Sequence, residues 1–130
     1  MKLLQPTPLM LHLFNSPKAL VVFLLLLCST PSWAQKKEER FWVDGVCGMC
    51  EERIEKALLR TKGVWVADWN VDTHIATVVF NPSKVSLPGL HKIVAAAGHD
   101  TRLETATDAA YNKLHTCCKY RDKGVKDQHK

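Results

Sequence analysis

The sequence predicts an α+β fold in which an antiparallel four-stranded sheet carries two helices on one face, with a helical extension at the C-terminus. Three observations lead to this prediction. An amphipathic helical pattern follows a pair of closely spaced cysteines, two runs rich in β-branched and aromatic residues are separated by a short polar turn, and a second apolar helical pattern follows them. Residues 40–104 would form the domain, and residues 105–130 the extension.

The first strand and the first helix flank the cysteine pair. Residues 35–39 are a charged leader without an apolar period, which we expect to be loose, and the strand begins at Phe41. Across residues 50–60 the apolar side chains recur at helical spacing, while the charged side chains between them face outward. Lys62 and Gly63 would close this helix.

A β-hairpin follows the first helix. Residues 64–71 (VWVADWNV) and residues 75–80 (IATVVF) are rich in β-branched and aromatic side chains, which favour strands. The polar residues 72–74 separate the two runs. Two such runs joined by a short polar turn predict an antiparallel pair.

A second helix and a short strand complete the domain. Ser86 can cap a helix over residues 87–97, and Gly98 is its natural C-terminal residue. Residues 100–104 would form the fourth strand. The order strand, helix, strand, strand, helix, strand is that of a ferredoxin-like βαββαβ sandwich.

Residues 1–34 have the features of a secretory signal peptide rather than of the folded domain. The run over residues 19–28 is wholly apolar, and Ser32-Trp33-Ala34 offers a small-x-small cleavage site before Gln35. An apolar run of ten residues is shorter than the roughly 20 residues of a membrane-spanning helix, so we expect no stable membrane insertion after cleavage. A retained anchor and a lipoprotein modified at Cys28 are the alternatives.

The charge of the remaining 96 residues is nearly balanced. Lys2 and Lys18 are the only charged side chains among residues 1–34, so removing this segment lowers the net charge from +5 to +3. Basic residues cluster only near the C-terminus, and no basic face with regularly interleaved aromatic side chains accompanies them. We therefore expect a solvated tail and no nucleic-acid binding.

Cys47 and Cys50 are the first candidates for chemistry. Cys50 falls in the first turn of the predicted helix, where unpaired backbone N–H groups and the helix dipole favour a thiolate. Thiolates bind soft metals, and this spacing lets both sulfurs face one ion. The same spacing occurs in thiol-disulfide oxidoreductases, in half of a zinc site and in structural disulfides, so these alternatives stay open.

The residues around this pair resemble the heavy-metal-associated domain family, which includes copper chaperones, metal-pumping ATPase tails and the periplasmic mercury scavenger. Four segments carry the likeness: residues 43–58, 63–64, 76–80 and 96–100. The likeness spans residues 40–104. The resemblance implies that Cys47 and Cys50 bind one soft ion and that no reaction is catalysed.

The resemblance also implies a third ligand, a cargo and a compartment. In this family the loop after the second helix lies close to the cysteines, and here it holds His99, which would be a third ligand or a shield for the ion. A surface histidine at the end of a helix is the alternative. Cu(I) is the expected ion, with Hg(II), Cd(II) and Zn(II) as alternatives. The expected partner is a metal-transporting membrane protein or another metal-binding domain, and the expected location is the periplasm or the cell exterior.

The C-terminal extension contains a second pair of cysteines. Residues 105–108 can cap a helix over residues 109–115, which Cys117 and Cys118 follow. The fourth strand would carry the chain about 15 Å away from the metal loop, and a helical return of roughly 18 Å could bring these thiols back to it. We therefore expect one or both to join the site. A disulfide and a separate exposed thiol pair are the alternatives.

Two neighbouring residues also carry metal-binding atoms. Met49 has a thioether and lies between the first two cysteines, and His115 has an imidazole two residues before Cys117. Packing or loop exposure is the preferred interpretation for Met49, and solvation for His115.

The leading functional hypothesis is an exported metallochaperone or scavenger. The alternative is a thiol-disulfide oxidoreductase that uses Cys47 and Cys50, but a thioredoxin-like site belongs to a longer architecture than 96 residues allow. A third possibility is an interaction module stapled by a disulfide, with Trp65 and Trp69 as contacts. Packing on the sheet is the preferred interpretation of these tryptophans.

Overall fold

The computed structural model of the protein describes residues 35–130. The predicted signal peptide, with Cys28, lies outside these described residues. The described elements, in chain order, are β1 (Lys37–Trp42), α1 (Gly48–Leu59), β2 (Val64–Asn70), β3 (Ile75–Phe80), α2 (Leu87–Ala96), α3 (Asp108–Asn112), a short 3-10 helix (Thr116–Cys118) and α4 (Lys123–Gln128). Within residues 35–130, no helix combines the length and the apolar character needed to cross a membrane.

The three strands form one antiparallel sheet in the order β1-β3-β2. β3 is the central strand, and its side chains alternate between half-buried and buried positions, with Ala76, Val78 and Phe80 facing the core. Helix α1 packs against β2 and α2, and its buried face consists of Cys50, Ile54 and Leu58. The predicted α+β class with an antiparallel sheet is confirmed.

The first strand is longer than predicted. β1 begins at Lys37 and pairs with β3 from Lys37 opposite Phe80 to Trp42 opposite Ile75, so the expectation of a loose leader is wrong. This segment has no apolar period because β1 is an edge strand whose charged side chains face solvent. Charged edge strands also resist pairing with other chains.

The predicted fourth strand over residues 100–104 is reduced to a single bridge between Thr101 and Val43. The Thr101 side chain accepts hydrogen bonds from the backbone N–H groups of Leu103 (3.3 Å) and Glu104 (3.0 Å). The Thr101 backbone N–H also donates to the Glu104 carbonyl at 2.8 Å. Side-chain to backbone bonds of this kind fold the segment into a turn and compete with a strand ladder.

The C-terminal extension is part of the same hydrophobic core. Leu114, Cys118 and Tyr120 are buried together with side chains of the sheet and of α1. Gly98, which follows the C-cap of α2 directly, has a φ of +105°, and a Cβ there would lie 2.9 Å from the Ala110 carbonyl oxygen. The extension therefore packs directly against the backbone at the end of α2.

The first helix of the extension is shorter than predicted. α3 ends at Asn112 rather than at His115, because the Leu114 backbone N–H donates to the Tyr111 carbonyl (3.0 Å) in a tightened last turn. The Leu114 side chain then enters the core. The 3-10 helix Thr116–Cys118 then brings the chain back toward α1.

An ion pair fastens the extension to the loop after α2. Arg121 donates to both carboxylate oxygens of Asp100, at 2.7 and 3.0 Å, and to the Ala106 carbonyl at 2.8 Å. Burial acts to raise the pKa of the Asp100 carboxyl, but hydrogen bonds from Arg121 and from the Ala106 N–H outweigh it and lower that pKa. The ionised carboxylate therefore stabilises the folded state.

The Asp100→Asn variant is expected to lose about 1 kcal/mol of unfolding free energy at neutral pH, since the pair is partly exposed. Because the folded-state pKa is depressed, the contribution of Asp100 is complete above the unfolded pKa of about 3.9 and is lost as the pH falls through the lower folded pKa. The difference between wild type and variant should accordingly shrink below about pH 4. Urea unfolding over a pH series checks this, with Asp127→Asn, an exposed carboxylate paired only with lysines, as the matched control.

Candidate metal centre

The cysteine loop is fixed by the start of α1 and by the ring of Trp69. Cys47 is the N-cap of α1, and its carbonyl accepts the backbone N–H groups of Cys50 (2.9 Å) and Glu51 (3.2 Å). A Cβ on Gly45 would lie 2.9 Å from the Trp69 ring and 3.1 Å from the Cys50 Cβ. The loop therefore needs glycine at this position to approach the core so closely.

Three sulfurs from two distant parts of the chain converge at this loop. The Cys47 sulfur lies 3.5 Å from the Cys50 sulfur and 3.5 Å from the Cys118 sulfur. All three sulfurs lie within 4.8 Å of one another, and all three residues carry free thiols. Cys50 and Cys118 are buried, whereas Cys47 is half-buried and gives the cluster its accessible side.

The three thiols differ in acidity, and burial opposes the thiolate expected at Cys50. Burial raises the pKa of the Cys50 thiol above its ordinary value. Burial also raises the pKa of Cys118, strongly, and hydrogen bonds to the other two cysteines add to this. Burial opposes ionisation of Cys47 as well, but the Cys50 backbone N–H and the Cys118 thiol lower its pKa. Cys47 is thus the preferred thiolate.

Cys118 is placed by the hydrogen bonds around its short helix and by Tyr120. Its backbone N–H donates to the His115 carbonyl (2.9 Å), and its own carbonyl accepts the Tyr120 N–H (2.8 Å). The buried Tyr120 hydroxyl donates to the Gly98 carbonyl and accepts the Asp100 backbone N–H, both at 2.9 Å. Tyr120 therefore fixes the segment that carries Cys118 to the loop after α2.

Cys117 lies beside the three sulfurs but outside their group. Its sulfur is 3.9 Å from the sulfurs of Cys47 and of Cys118. It also contacts the Met49 thioether sulfur at 3.4 Å and the His115 Nδ1 at 3.3 Å. The contact with Met49 joins segments 68 residues apart, whereas His115 lies two residues before Cys117 and its Nδ1 also accepts the Cys117 backbone N–H at 3.5 Å.

His99 is fully buried next to the loop and is not part of the three-sulfur group. Its Nδ1 lies 2.9 Å from the Asp44 carbonyl oxygen, and its ring stacks on Tyr120 with centroids 5.5 Å apart. Its Nε2 is buried without a hydrogen-bond partner. Burial lowers the pKa of His99, so the ring is neutral and its Nε2 carries a free lone pair. Its role as a ligand stays a prediction.

The sequence did not predict that the basic tail forms ion pairs with the folded domain. Lys126 lies 3.3 Å from a carboxylate oxygen of Asp44, and Arg121 pairs with Asp100, so the tail is solvated only in part. Sequence reasoning also missed Tyr120, which has no exposed surface. The sequence does contain one signal for Tyr120, because an aromatic residue with a basic residue on each side stands two positions after the cysteine pair. This pattern is typical of neither a long helix nor a strand.

The three thiols fit a soft ion. Three sulfurs bound at about 2.3 Å in a trigonal plane would lie about 4.0 Å apart. The observed separations of 3.5 Å, and the limit of 4.8 Å for the whole group, bracket that value. Thiolate sulfurs select Cu(I) and similar ions over hard cations such as Mg²⁺.

Named relatives match part of this chain. A copper-exporting P-type ATPase of Staphylococcus saprophyticus is 43% identical over 56 residues, which are 43% of this chain and only 7% of the ATPase. The mercuric transport protein periplasmic component of Pseudomonas aeruginosa is 31% identical, over 57% of this chain and 82% of that protein. The copper chaperone CopZ of Staphylococcus epidermidis is 31% identical, over 46% of this chain and 90% of the chaperone.

A solved structure and a family model also match part of the chain. The N-terminal domain of a potential copper-translocating P-type ATPase from Bacillus subtilis, solved in the Cu(I)-loaded state, superposes with a TM-score of 0.50 and is 31% identical. That match covers 57% of this chain and 94% of the domain. Residues 40–100 match the heavy-metal-associated domain family, so Cys117 and Cys118 lie beyond the matched region. Together with the extent of its relatives, this match establishes that the chain belongs to the heavy-metal-associated domain family.

Proposed function

We propose that this protein binds one soft metal ion, Cu(I) before Hg(II), Cd(II) or Zn(II), through Cys47, Cys50 and Cys118. The observation that supports it is the convergence of three free thiols within 4.8 Å, two from the start of α1 and one from the extension. Relatives named as copper chaperone and copper-exporting ATPase favour copper as the cargo. His99 is a candidate fourth donor through its unpartnered Nε2.

The uneven exposure of the three cysteines suits handover of the ion rather than catalysis. Cys50 and Cys118 are buried and would hold the ion away from water, while the half-buried Cys47 stands at the accessible side. A thiolate of a partner could replace the Cys47 sulfur first and then the two buried sulfurs. The partner would be a metal-transporting membrane protein or another metal-binding domain.

We also propose that the protein works outside the cytoplasm after loss of residues 1–34. The apolar run over residues 19–28 and the small-x-small motif at residues 32–34 support this, as does the likeness to a periplasmic mercury-transport component. Fractionating cells that express the full chain, and sequencing the N-terminus of the exported form, tests it. We expect a protein that begins at Gln35, whereas a cytoplasmic protein that begins at Met1 would contradict export.

Metal retention by the reduced full chain tests the binding function. Under anaerobic conditions we expect the chain to retain at least one Cu(I) against a competing chelator, and to ignore Mg²⁺ and Ca²⁺, because thiolates prefer soft ions. The same chain with its thiols alkylated is the control and should retain none. Equal retention by the alkylated chain, or none by the free-thiol chain, would overturn the proposal.

A thiol-disulfide oxidoreductase is the second candidate. Its support is the lowered pKa of Cys47 together with the 3.5 Å separation of the Cys47 and Cys50 sulfurs. The two functions give opposite results in one measurement. A disulfide that equilibrates with glutathione, in a chain that retains no metal when reduced, favours the oxidoreductase.

A further inference from the structure

A second group of soft donors lies next to the three-sulfur site. The Cys117 sulfur contacts the Met49 thioether at 3.4 Å and the His115 Nδ1 at 3.3 Å. Met49 stands in the first turn of α1 and reaches Cys117 from a distant part of the chain, whereas His115 is the N-cap of the short helix that contains Cys117. From this geometry we infer a second soft-metal position formed by Cys117, Met49 and His115, which we call the outer position.

The surroundings of these side chains argue for a ligand rather than for packing. The Met49 side chain is 50% exposed, although a thioether gains most from burial in a core. His115 is exposed and Cys117 is half-buried, so the hydrophobic effect does not hold the three together. Burial explains the contacts of Cys50 and Cys118, and the N-cap bond from the Cys117 N–H to the His115 Nδ1 (3.5 Å) places the imidazole. Neither explains the contact of the exposed Met49 thioether with the Cys117 thiol.

The donor spacing fits a soft ion. Metal bonds of about 2.0 Å to nitrogen and about 2.3 Å to sulfur would place neighbouring donors about 3.5 to 4 Å apart. The observed separations of 3.3 and 3.4 Å need only a small expansion, which exposed side chains can make. Thioether and thiolate sulfur select Cu(I), whereas Zn(II) rarely takes a thioether ligand. The outer position is therefore selective for Cu(I).

An open groove leads to the outer position. Its volume is about 390 Å³, and its lining includes Met49, His115 and Cys118 together with Arg53 and Lys56. An ion can reach Met49 and His115 from solvent through this groove, and Cys117, which is not in the lining, contacts both of these side chains. A metal site needs such an access path as well as suitable ligands.

The outer position adjoins the inner one. The Cys117 sulfur is 3.9 Å from the sulfurs of Cys47 and of Cys118, so either sulfur can bridge two ions. Loading the outer position forms metal bonds to Cys117, Met49 and His115, and the Cys117 thiol releases one proton to water. No electron is transferred. This inference rests on the proposed function for its cargo, but it uses different residues.

Counting bound Cu(I) under anaerobic competition with a chelator tests the outer position. We expect the reduced full chain to bind two Cu(I) ions, and Cys117→Ser, Met49→Leu and His115→Gln each to weaken only the second ion, by about tenfold or more. His129→Gln, an exposed histidine at the far end of α4, is the matched control and should change neither ion. Zn(II) is the control ion and should show no second equivalent.

The Met49 methyl group gives a second readout. With ¹³C-methyl methionine, the resonance that disappears in Met49→Leu identifies this residue, and we expect it to shift mainly with the second equivalent of Cu(I). A single bound ion, or a second ion that is insensitive to Met49→Leu and His115→Gln, would overturn the outer position and leave the inner site intact. Failure to retain even the first ion would overturn the proposed function as well.

Discussion

Replacing Cys118 is expected to weaken the first Cu(I) by on the order of 100-fold, whereas replacing the adjacent Cys117 should leave that ion's affinity unchanged. The reason is geometric. The Cys118 sulfur lies within 4.8 Å of the sulfurs of Cys47 and Cys50, while Cys117 is not part of that group. Because Cys117 and Cys118 are neighbours in one short helix, the Cys117 variant is the matched control for the Cys118 variant. The affinities are measured anaerobically with a competing Cu(I) chelator.

Two replacements of Cys118 separate a lost ligand from a disturbed core. Cys118 is 1% exposed, so a serine there would bury a hydroxyl, and alanine would leave a small void. If the Cys118 sulfur binds the ion, Cys118→Ser and Cys118→Ala should lower the Cu(I) affinity by the same factor, although the two variants differ in stability. Equal effects of replacing Cys117 and Cys118 would contradict the assignment of Cys118 to the inner site.

Tyr120→Phe is expected to lower the free energy of unfolding by about 2 to 3 kcal/mol. The Tyr120 hydroxyl has no exposed surface and bonds two backbone groups, the Gly98 carbonyl and the Asp100 N–H, each at 2.9 Å. Phenylalanine would leave both groups buried without a partner, which costs more than the loss of an exposed hydrogen bond. Urea unfolding followed by tryptophan fluorescence, to which the buried Trp69 contributes, measures the change.

Tyr111→Phe is the matched control for this prediction. Tyr111 is half-buried, and its hydroxyl accepts one bond, from the Arg121 backbone N–H at 3.2 Å, in an exposed setting. We expect this variant to lose less than about 1 kcal/mol. If both variants lose the same amount, the extension is not anchored through Tyr120. A normal metal affinity in a strongly destabilised Tyr120→Phe chain would show that the anchor serves stability more than the site.

The sequence was sufficient to predict most of the regular structure. Helix α1 after the cysteine pair, the hairpin of β2 and β3, and the Ser86-capped helix α2 all have periodic apolar patterns, which local propensity and burial reinforce. Strand β1 was mostly missed because an edge strand with charged side chains has no such period. The fourth strand failed because the hydrogen bonds of Thr101 stabilise a turn that strand propensity does not reveal.

The site was harder to predict than the fold. The spacing of Cys47 and Cys50 identifies a thiol pair, but the acidity of each thiol depends on burial, which reverses the order expected from the helix dipole alone. The approach of Cys118 depends on Tyr120, whose hydroxyl bonds groups about 20 residues away in the chain. Contacts of such long range leave no local pattern, and the same holds for the contact of Cys117 with Met49.

The direct test of the central claim is the coordination number of copper in the chain loaded with one equivalent of Cu(I). X-ray absorption at the copper K-edge counts the sulfur neighbours of the ion. With Cys47, Cys50 and Cys118 as ligands, the spectrum should show three sulfurs, and Cys118→Ala should reduce them to two. Two sulfurs in the wild-type chain, with no change on replacing Cys118, would contradict the account.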